Sequence, residues 1–204
     1  MNERKVMAGR NQLRIIGGEW RGRRLQVVNQ PGLRPTPDRV RETLFNWLAP
    51  VIAGSRCLDL FAGSGALGLE GASRGASRVT LVEKAGAAAR QLHANIELLR
   101  AGDRLELVQT DALRFLAQPP AAPYDIVFLD PPFGRDWLAR CLPPLAGPGW
   151  LTPGAYIYIE AEQALKPQAL EALLPAGWTL LRSRQSGEVG YHLAAGLQTA
   201  PQAS

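Results

Sequence analysis

The sequence predicts an α/β fold built on a mainly parallel sheet, and three observations carry that expectation. Short apolar runs alternate with helical segments from Arg56 onward, the pattern of βα units. Four of those runs end in acids or glycines rather than in ordinary turn residues, as strands do when they converge on a ligand crevice at their carboxyl ends. A Gly147-Pro-Gly149 breaker then separates this region from a further strand and two more runs that suit a terminal antiparallel hairpin.

The chain has 204 residues, 46% of them hydrophobic and 20% charged, which fits one soluble globular domain with a short appendage. No run reaches the roughly 20 apolar residues that a membrane span needs. Met1 to Gln12 lacks a secretory pattern, so export is not expected. Cys57 and Cys141 show no CxxC spacing and only two histidines accompany them, so no metal is expected and Cys57 reads as a buried small hydrophobe. Cysteine usage fits a reducing cytoplasm.

The formal charge of +5 is unevenly placed. Residues 1–41 hold ten Lys or Arg against Glu3, Glu19 and Asp38, net +7, whereas residues 42–204 hold thirteen against fifteen, net −2. Within the basic segment, residues 1–33 form the expected arm. Arg10, Arg14, Arg21, Arg23 and Arg24 are interspersed with Gly17, Gly18, Gly22 and Trp20, and Leu13–Ile16 and Leu25–Val28 alternate like strands. Arginines fixed on β structure point to a polyanion partner more than to a solvated tail.

After the arm, Arg34-Pro35-Thr36-Pro37-Asp38 reads as a helix start, with Thr36 as cap and Pro37 in the first helical position. Val40, Leu44, Trp47, Leu48 and Val51 then share one face. Strands are expected at residues 57–61, 78–82, 105–108 and 125–129, ending respectively in Gly63-Ser-Gly65, Glu83, near Asp111, and in Asp130. A fifth strand over 155–159 ends in Glu160, a helix follows over 165–174, and 178–181 with 190–193 form the hairpin. Residues 194–204 are expected to be disordered.

Gly63-Ser-Gly65-Ala-Leu-Gly68 satisfies GxGxxG between a strand and a helix, and Glu83 lies where a ribose-binding acid would. Such a loop suits a dinucleotide or S-adenosylmethionine equally. Asp59, just before the glycines, would repel a pyrophosphate and attract a cationic ligand, which favours S-adenosylmethionine. Asp111 with Ala112 can meet an adenine amine, or Asp111 can simply cap a helix.

Asp130-Pro131-Pro132-Phe133 is the sharpest motif. Two prolines fix the backbone and remove two donors, leaving a rigid row of acceptors beside a carboxylate. An exocyclic base amine is a matching donor. Accepting both of its hydrogens would localise the nitrogen lone pair for attack on a methyl group, with Phe133 stacked on the base. An ordinary strand-ending turn is the competing reading. His93 and His192 read as surface residues, and Asn95 as a helix-surface amide.

These ordered motifs resemble class I S-adenosylmethionine-dependent methyltransferases, whose fold is a seven-stranded mixed sheet flanked by helices, here with an N-terminal β arm. The segments 13–25 and 33–48, the latter Leu-Arg-Pro-Thr-Pro-Asp-Arg-Val-Arg-Glu-Thr-Leu-Phe-Asn-Trp-Leu, resemble the RsmD family of bacterial methyltransferases. The likeness runs from about Leu13 to Leu193. It implies methylation of a guanine amine in 16S ribosomal RNA, on the small ribosomal subunit, by a monomeric cytoplasmic enzyme with a domain over 34–193. It also implies that Asp130, Pro131, Pro132 and Phe133 are catalytic. Arg34, Thr36, Asp59, Phe61, Gly63, Gly65, Glu83, Asp111 and Ala112 would hold the cofactor, and Arg41 would join the arm arginines on RNA. The chain departs from the family at 187–192, which puts the hairpin's part in RNA contact in doubt. A DNA amine methyltransferase and a nucleotide-dependent oxidoreductase remain as alternatives.

Overall fold

The computed structural model describes residues 12–28 and 36–196, so Arg10, Arg34 and the tail from residue 197 lie outside the described residues. Two short strands, β1 (Gln12–Arg14) and β2 (Arg24–Gln26), pair antiparallel as a separate ribbon. The helix α1 (Asp38–Leu48) leads into β3 (Arg56–Asp59), α2 (Ala66–Ser73), β4 (Arg78–Val82), α3 (Gly86–Leu99), β5 (Leu105–Val108), α4 (Ala112–Leu116) and β6 (Tyr124–Leu129). Then come α5 (Trp137–Leu145), β7 (Leu151–Glu162), α6 (Pro167–Glu171), β8 (Thr179–Ser186) and β9 (Val189–Ala195).

The main sheet has seven strands in the order β5-β4-β3-β6-β7-β9-β8; the first five are parallel and β9 is antiparallel to both β7 and β8. Chain order reverses between β3 and β6, which places a ligand crevice outside their carboxyl ends. Central strands bury both faces, which is why they read as unbroken apolar runs. Cys57 enters the core with Leu44, Phe45, Leu69 and Leu92, and the next residue, Leu58, faces Leu116, Leu142 and Leu170 on the other side. Both cysteines are buried, and burial pushes each thiol up to about 12, so both stay protonated and inert.

The arm is part of the first core. Leu13 and Leu25 are cross-strand partners, and with Ile15 and Trp20 they pack into the same cluster as α1 and α2. Gly18 (φ +74°) lets the backbone touch α2: a Cβ there would lie 1.8 Å from the Ser73 carbonyl oxygen. Glu70 of α2, with no exposed surface, accepts from the amides of Ile16 (2.9 Å) and Gly17 (2.8 Å) and from the guanidinium of Arg74 (2.7 Å).

Several expectations change. Thr36 is not the cap of α1; Pro37 is, and the Thr36 side chain turns inward to the sheet. Only 167–171 of the helix expected over 165–174 is helical, while β7 extends on both sides of 155–159. Residues 194 and 195, expected in a disordered tail, complete β9. Asn95 is buried and donates to the Gln26 carbonyl at 2.8 Å, tying β2 to α3. His192 is buried too: Nδ1 contacts the Ser183 hydroxyl at 2.9 Å, and Nε2 has no partner among the described residues. His93 is exposed, as expected. No helix among the described residues is long and apolar enough to cross a membrane.

Candidate active site

The carboxyl ends of β3, β4, β5, β6 and β7 open into one cavity of about 620 Å³, within the usual range for a small-molecule site. Its wall contains Thr36, Asp59, Phe61, Gly63, Glu83, Asp111, Ala112, Asp130, Pro131, Pro132 and Phe133, so residues spread over nearly a hundred positions meet as the strand-end argument requires.

The glycine loop is held by acids on either side. Asp59 accepts from the Gly68 amide at 2.9 Å, and Glu83 bridges the amides of Gly63 (2.8 Å) and Ala85 (2.6 Å). Each carboxylate keeps further lone pairs for a ligand. Burial pushes Asp59 up to about 7, opposed by the Gly68 bond and reinforced by Glu83 and Glu160. Gly68 is packed so closely that a Cβ would lie 2.2 Å from Leu81. Gly65 lies between the wall residues Ser64 and Ala66 without itself lining the cavity. It adopts φ +79° at the start of α2, where Leu92 and Leu69 fill the space a side chain would need.

Asp111 lines the cavity and also caps α4 by accepting from the Leu113 amide at 3.1 Å. Against the effect of burial, the bonds from Lys84 and Leu113 hold its carboxyl below the usual range. Phe61 packs edge-on against Trp137, with ring centroids 5.3 Å apart. Phe133 is 46% exposed at the cavity mouth, available as a stacking platform.

Asp130 follows β6, and burial drives its carboxyl well above the usual range, with the charges of Glu160 and Asp59 adding to the shift and the Thr36 hydroxyl opposing it. Glu160 was legible only as another strand-ending acid. In the cavity it accepts from the hydroxyls of Thr36 and Tyr158, both at 2.9 Å, and burial raises its carboxyl against those bonds. Glu188 and Val189, from the β8–β9 turn, reach the same wall. Among the described residues no cluster of three metal-ligating side chains has the geometry to hold an ion.

Arg41 does not face the crevice or solvent. It is 1% exposed, and its guanidinium reaches Asp38 (2.6 Å), the Arg14 carbonyl (2.9 Å), the Thr36 carbonyl (3.2 Å) and Glu70 (3.4 Å). An arginine read as a phosphate contact is thus an internal tie between arm, helix and cavity. Arg14, Arg21, Arg23 and Arg24 are exposed and lie outside the cavity wall; Arg14 pairs with Asp38 at 2.7 Å.

A family model described as "Conserved hypothetical protein 95" matches residues 13–195. The chain is 51% identical over 186 residues to ribosomal RNA small subunit methyltransferase D of Escherichia coli (strain K12), covering 91% of each protein. It is 46% identical to the protein of that name from Haemophilus influenzae, covering 90% of this chain and 94% of the relative. Among solved structures, the putative methyltransferase yhhF from Escherichia coli superposes with a TM-score of 0.81 at 50% identity, covering 92% of this chain and 99% of that one. The arginine-rich arm, the 33–48 signature and the Asp130–Phe133 loop therefore sit in a chain that belongs to the RsmD family of methyltransferases.

Proposed function

We propose that this chain transfers a methyl group from S-adenosylmethionine to the exocyclic amine of a guanine in 16S ribosomal RNA, the N2 of position 966, acting as a monomer on an assembled or assembling small subunit in the cytoplasm. The observation that carries the reading is the charge of the cavity around Asp130–Phe133. Asp59, Glu83, Asp111, Asp130, Glu160 and Glu188 line it, against Lys84. A wall of carboxyl groups with a single lysine disfavours a pyrophosphate, whereas the sulfonium and ammonium of S-adenosylmethionine favour the ionised forms of Asp59, Asp130 and Glu160 that burial otherwise disfavours, which argues against the oxidoreductase alternative.

When bound, S-adenosylmethionine supplies an electrophilic methyl group. Asp59 and Gly63 would meet its methionine part, Glu83 the ribose hydroxyls, and Asp111 with Ala112 the adenine. The Asp130 carboxylate and a proline carbonyl accept the two amine hydrogens, so the nitrogen lone pair points at the methyl; the prolines keep those acceptors fixed, and Phe133 stacks on the base. Catalysis is then mostly positioning. The exposed Arg21 and Arg24 supply phosphate contacts.

The test uses purified protein, isotopically labelled S-adenosylmethionine and small subunits lacking this methylation, with naked 16S RNA and DNA as competitors and mass spectrometry to locate the methyl. Asp130→Ala should lose at least a hundredfold in turnover, the order lost when one transition-state hydrogen bond is removed, while binding S-adenosylhomocysteine within a few fold of wild type. Normal turnover in that variant, or label on adenine or cytosine, would refute the assignment.

A further inference from the structure

The cavity contains a second carboxylate that the mechanism above does not use. Leu129 and Ile159 are paired in the parallel register of β6 and β7, so the next residues, Asp130 and Glu160, stand side by side where β6 ends. Thr36 bridges them: its hydroxyl donates to Glu160 Oε1 at 2.9 Å and lies 3.5 Å from Asp130 Oδ2. The Tyr158 hydroxyl donates to the same Glu160 oxygen at 2.9 Å. One oxygen of Glu160 is therefore anchored twice, while Oε2, like Asp130 Oδ1, has no hydrogen-bond partner among the described residues.

Placing two carboxylates next to each other in a largely buried wall is costly unless hydrogen-bond donors satisfy them. Thr36 and Tyr158 orient Glu160, but burial and mutual repulsion keep a proton on the Asp130–Glu160 pair while the wall is empty; N–H donors entering the wall favour the ionised form and displace that proton. Among the described residues, the wall thus presents two adjacent carboxyl oxygens without a partner, one of them in the loop proposed to bind the amine. A ligand that satisfies both needs two neighbouring N–H donors, one of them the amine.

Base chemistry then discriminates. Guanine carries its N2 amine next to N1–H, a second donor. Adenine carries N6 between the N1 and N7 acceptors, and cytosine carries N4 next to the N3 acceptor. Only guanine offers donors to both carboxylates; the other two bases would turn a ring-nitrogen lone pair toward Glu160.

We propose that Glu160 is the specificity-determining residue of this site, accepting the N1–H of guanine at Oε2 while Asp130 accepts from the N2 amine, with Thr36 and Tyr158 as its positioning residues. This rests on the amine methylation proposed above and supplies a physical reason for guanine that the Asp-Pro-Pro-Phe loop lacks.

The inference is tested with small subunits reconstituted from 16S RNA carrying either guanine or 2-aminopurine at the methylated position. 2-Aminopurine keeps the amine but has an acceptor at N1. Wild-type enzyme should favour guanine by at least tenfold in kcat/KM, because 2-aminopurine turns an acceptor toward the acceptor at Glu160. In Glu160→Gln, the hydroxyls of Thr36 and Tyr158 hold the amide oxygen and leave the NH2 facing the base. The guanine to 2-aminopurine ratio should fall more than tenfold, by loss on guanine and gain on 2-aminopurine, with S-adenosylhomocysteine affinity within a few fold of wild type.

Equal use of both bases by wild type, a comparison that needs no variant to fold, overturns the inference alone. So does a Glu160→Gln protein slowed equally on both. No methylation of guanine subunits by wild type overturns the proposed function and this inference with it.

Discussion

Replacing Glu70 by glutamine changes one atom and one charge at the point where arm, α1 and α2 meet. The carboxylate accepts from two backbone amides of the arm, from Arg74, and at 3.4 Å from Arg41, all without solvent contact of its own. Glutamine retains a single acceptor oxygen and turns an NH2 toward groups that are themselves donors. At least one arm amide is left unpaired, and Arg41, 1% exposed, keeps only the half-buried Asp38 as a counter-charge. Removing one partner of a buried ion pair costs about 3–5 kcal/mol, and the unpaired amide falls within that sum. At ~2–4 °C per kcal/mol for a domain of this size, the melting temperature should drop by about 10 °C. Urea unfolding of wild type and Glu70→Gln, followed by circular dichroism, reads the change as a shift in midpoint at constant slope. A loss under about 1 kcal/mol, the value of an exposed pair, would show that the junction contributes little and that the arm is held by its apolar contacts alone.

Asp59 gives a pH signature. Its carboxyl titrates at about 7 in the fold against an ordinary 3.8, so between those values the folded protein keeps a proton that the unfolded chain has released. The contribution of Asp59 to stability therefore falls as pH rises from 4 to 7. Asp59→Asn, which keeps an acceptor for Gly68, should lose part of that slope in urea midpoints measured at pH 4.5 and 7.5; an unchanged slope would place the titration elsewhere. For the arm, Arg21→Ala with Arg24→Ala should reduce the slope of log affinity for RNA against log salt by about 1.5, at ~0.7–0.9 per phosphate contact. Filter binding across a salt series checks this, and an unaltered slope would remove those arginines from the interface.

The centre of the sheet was legible because its strands are unbroken apolar runs bounded by Gly, Pro or acids, and the topology brings their ends together without further information. The wall positions of Asp59, Glu83, Asp111 and Asp130 followed from that rule. What stayed hidden depends on partners distant in sequence. Glu70 meets Ile16 across 54 positions, Asn95 meets Gln26 across 69, and Thr36 meets Glu160 across 124. Local pattern made Thr36 a cap, and the family resemblance made Arg41 a phosphate contact, because nothing within a helical turn reveals the buried acids Glu160 and Glu70. Glu70 did leave one trace: a lone glutamate in Gly68-Leu-Glu-Gly-Ala-Ser73, an otherwise small and apolar helix, signals a charge held inside the protein.

The union of arm and core at Glu70 also decides how the arm can be studied. Cutting the chain after residue 28 removes more than a set of arginines. It uncovers the apolar surface that Leu13, Ile15, Trp20 and Leu25 now cover, takes a carbonyl from Arg41, and frees the arginine that fixes Thr36 beside Glu160. A deletion protein that failed to bind RNA would be a damaged fold, not a measurement of the arm's affinity. Only substitutions at the solvent-facing arginines separate the arm's role as a surface from its role as a wall of the core.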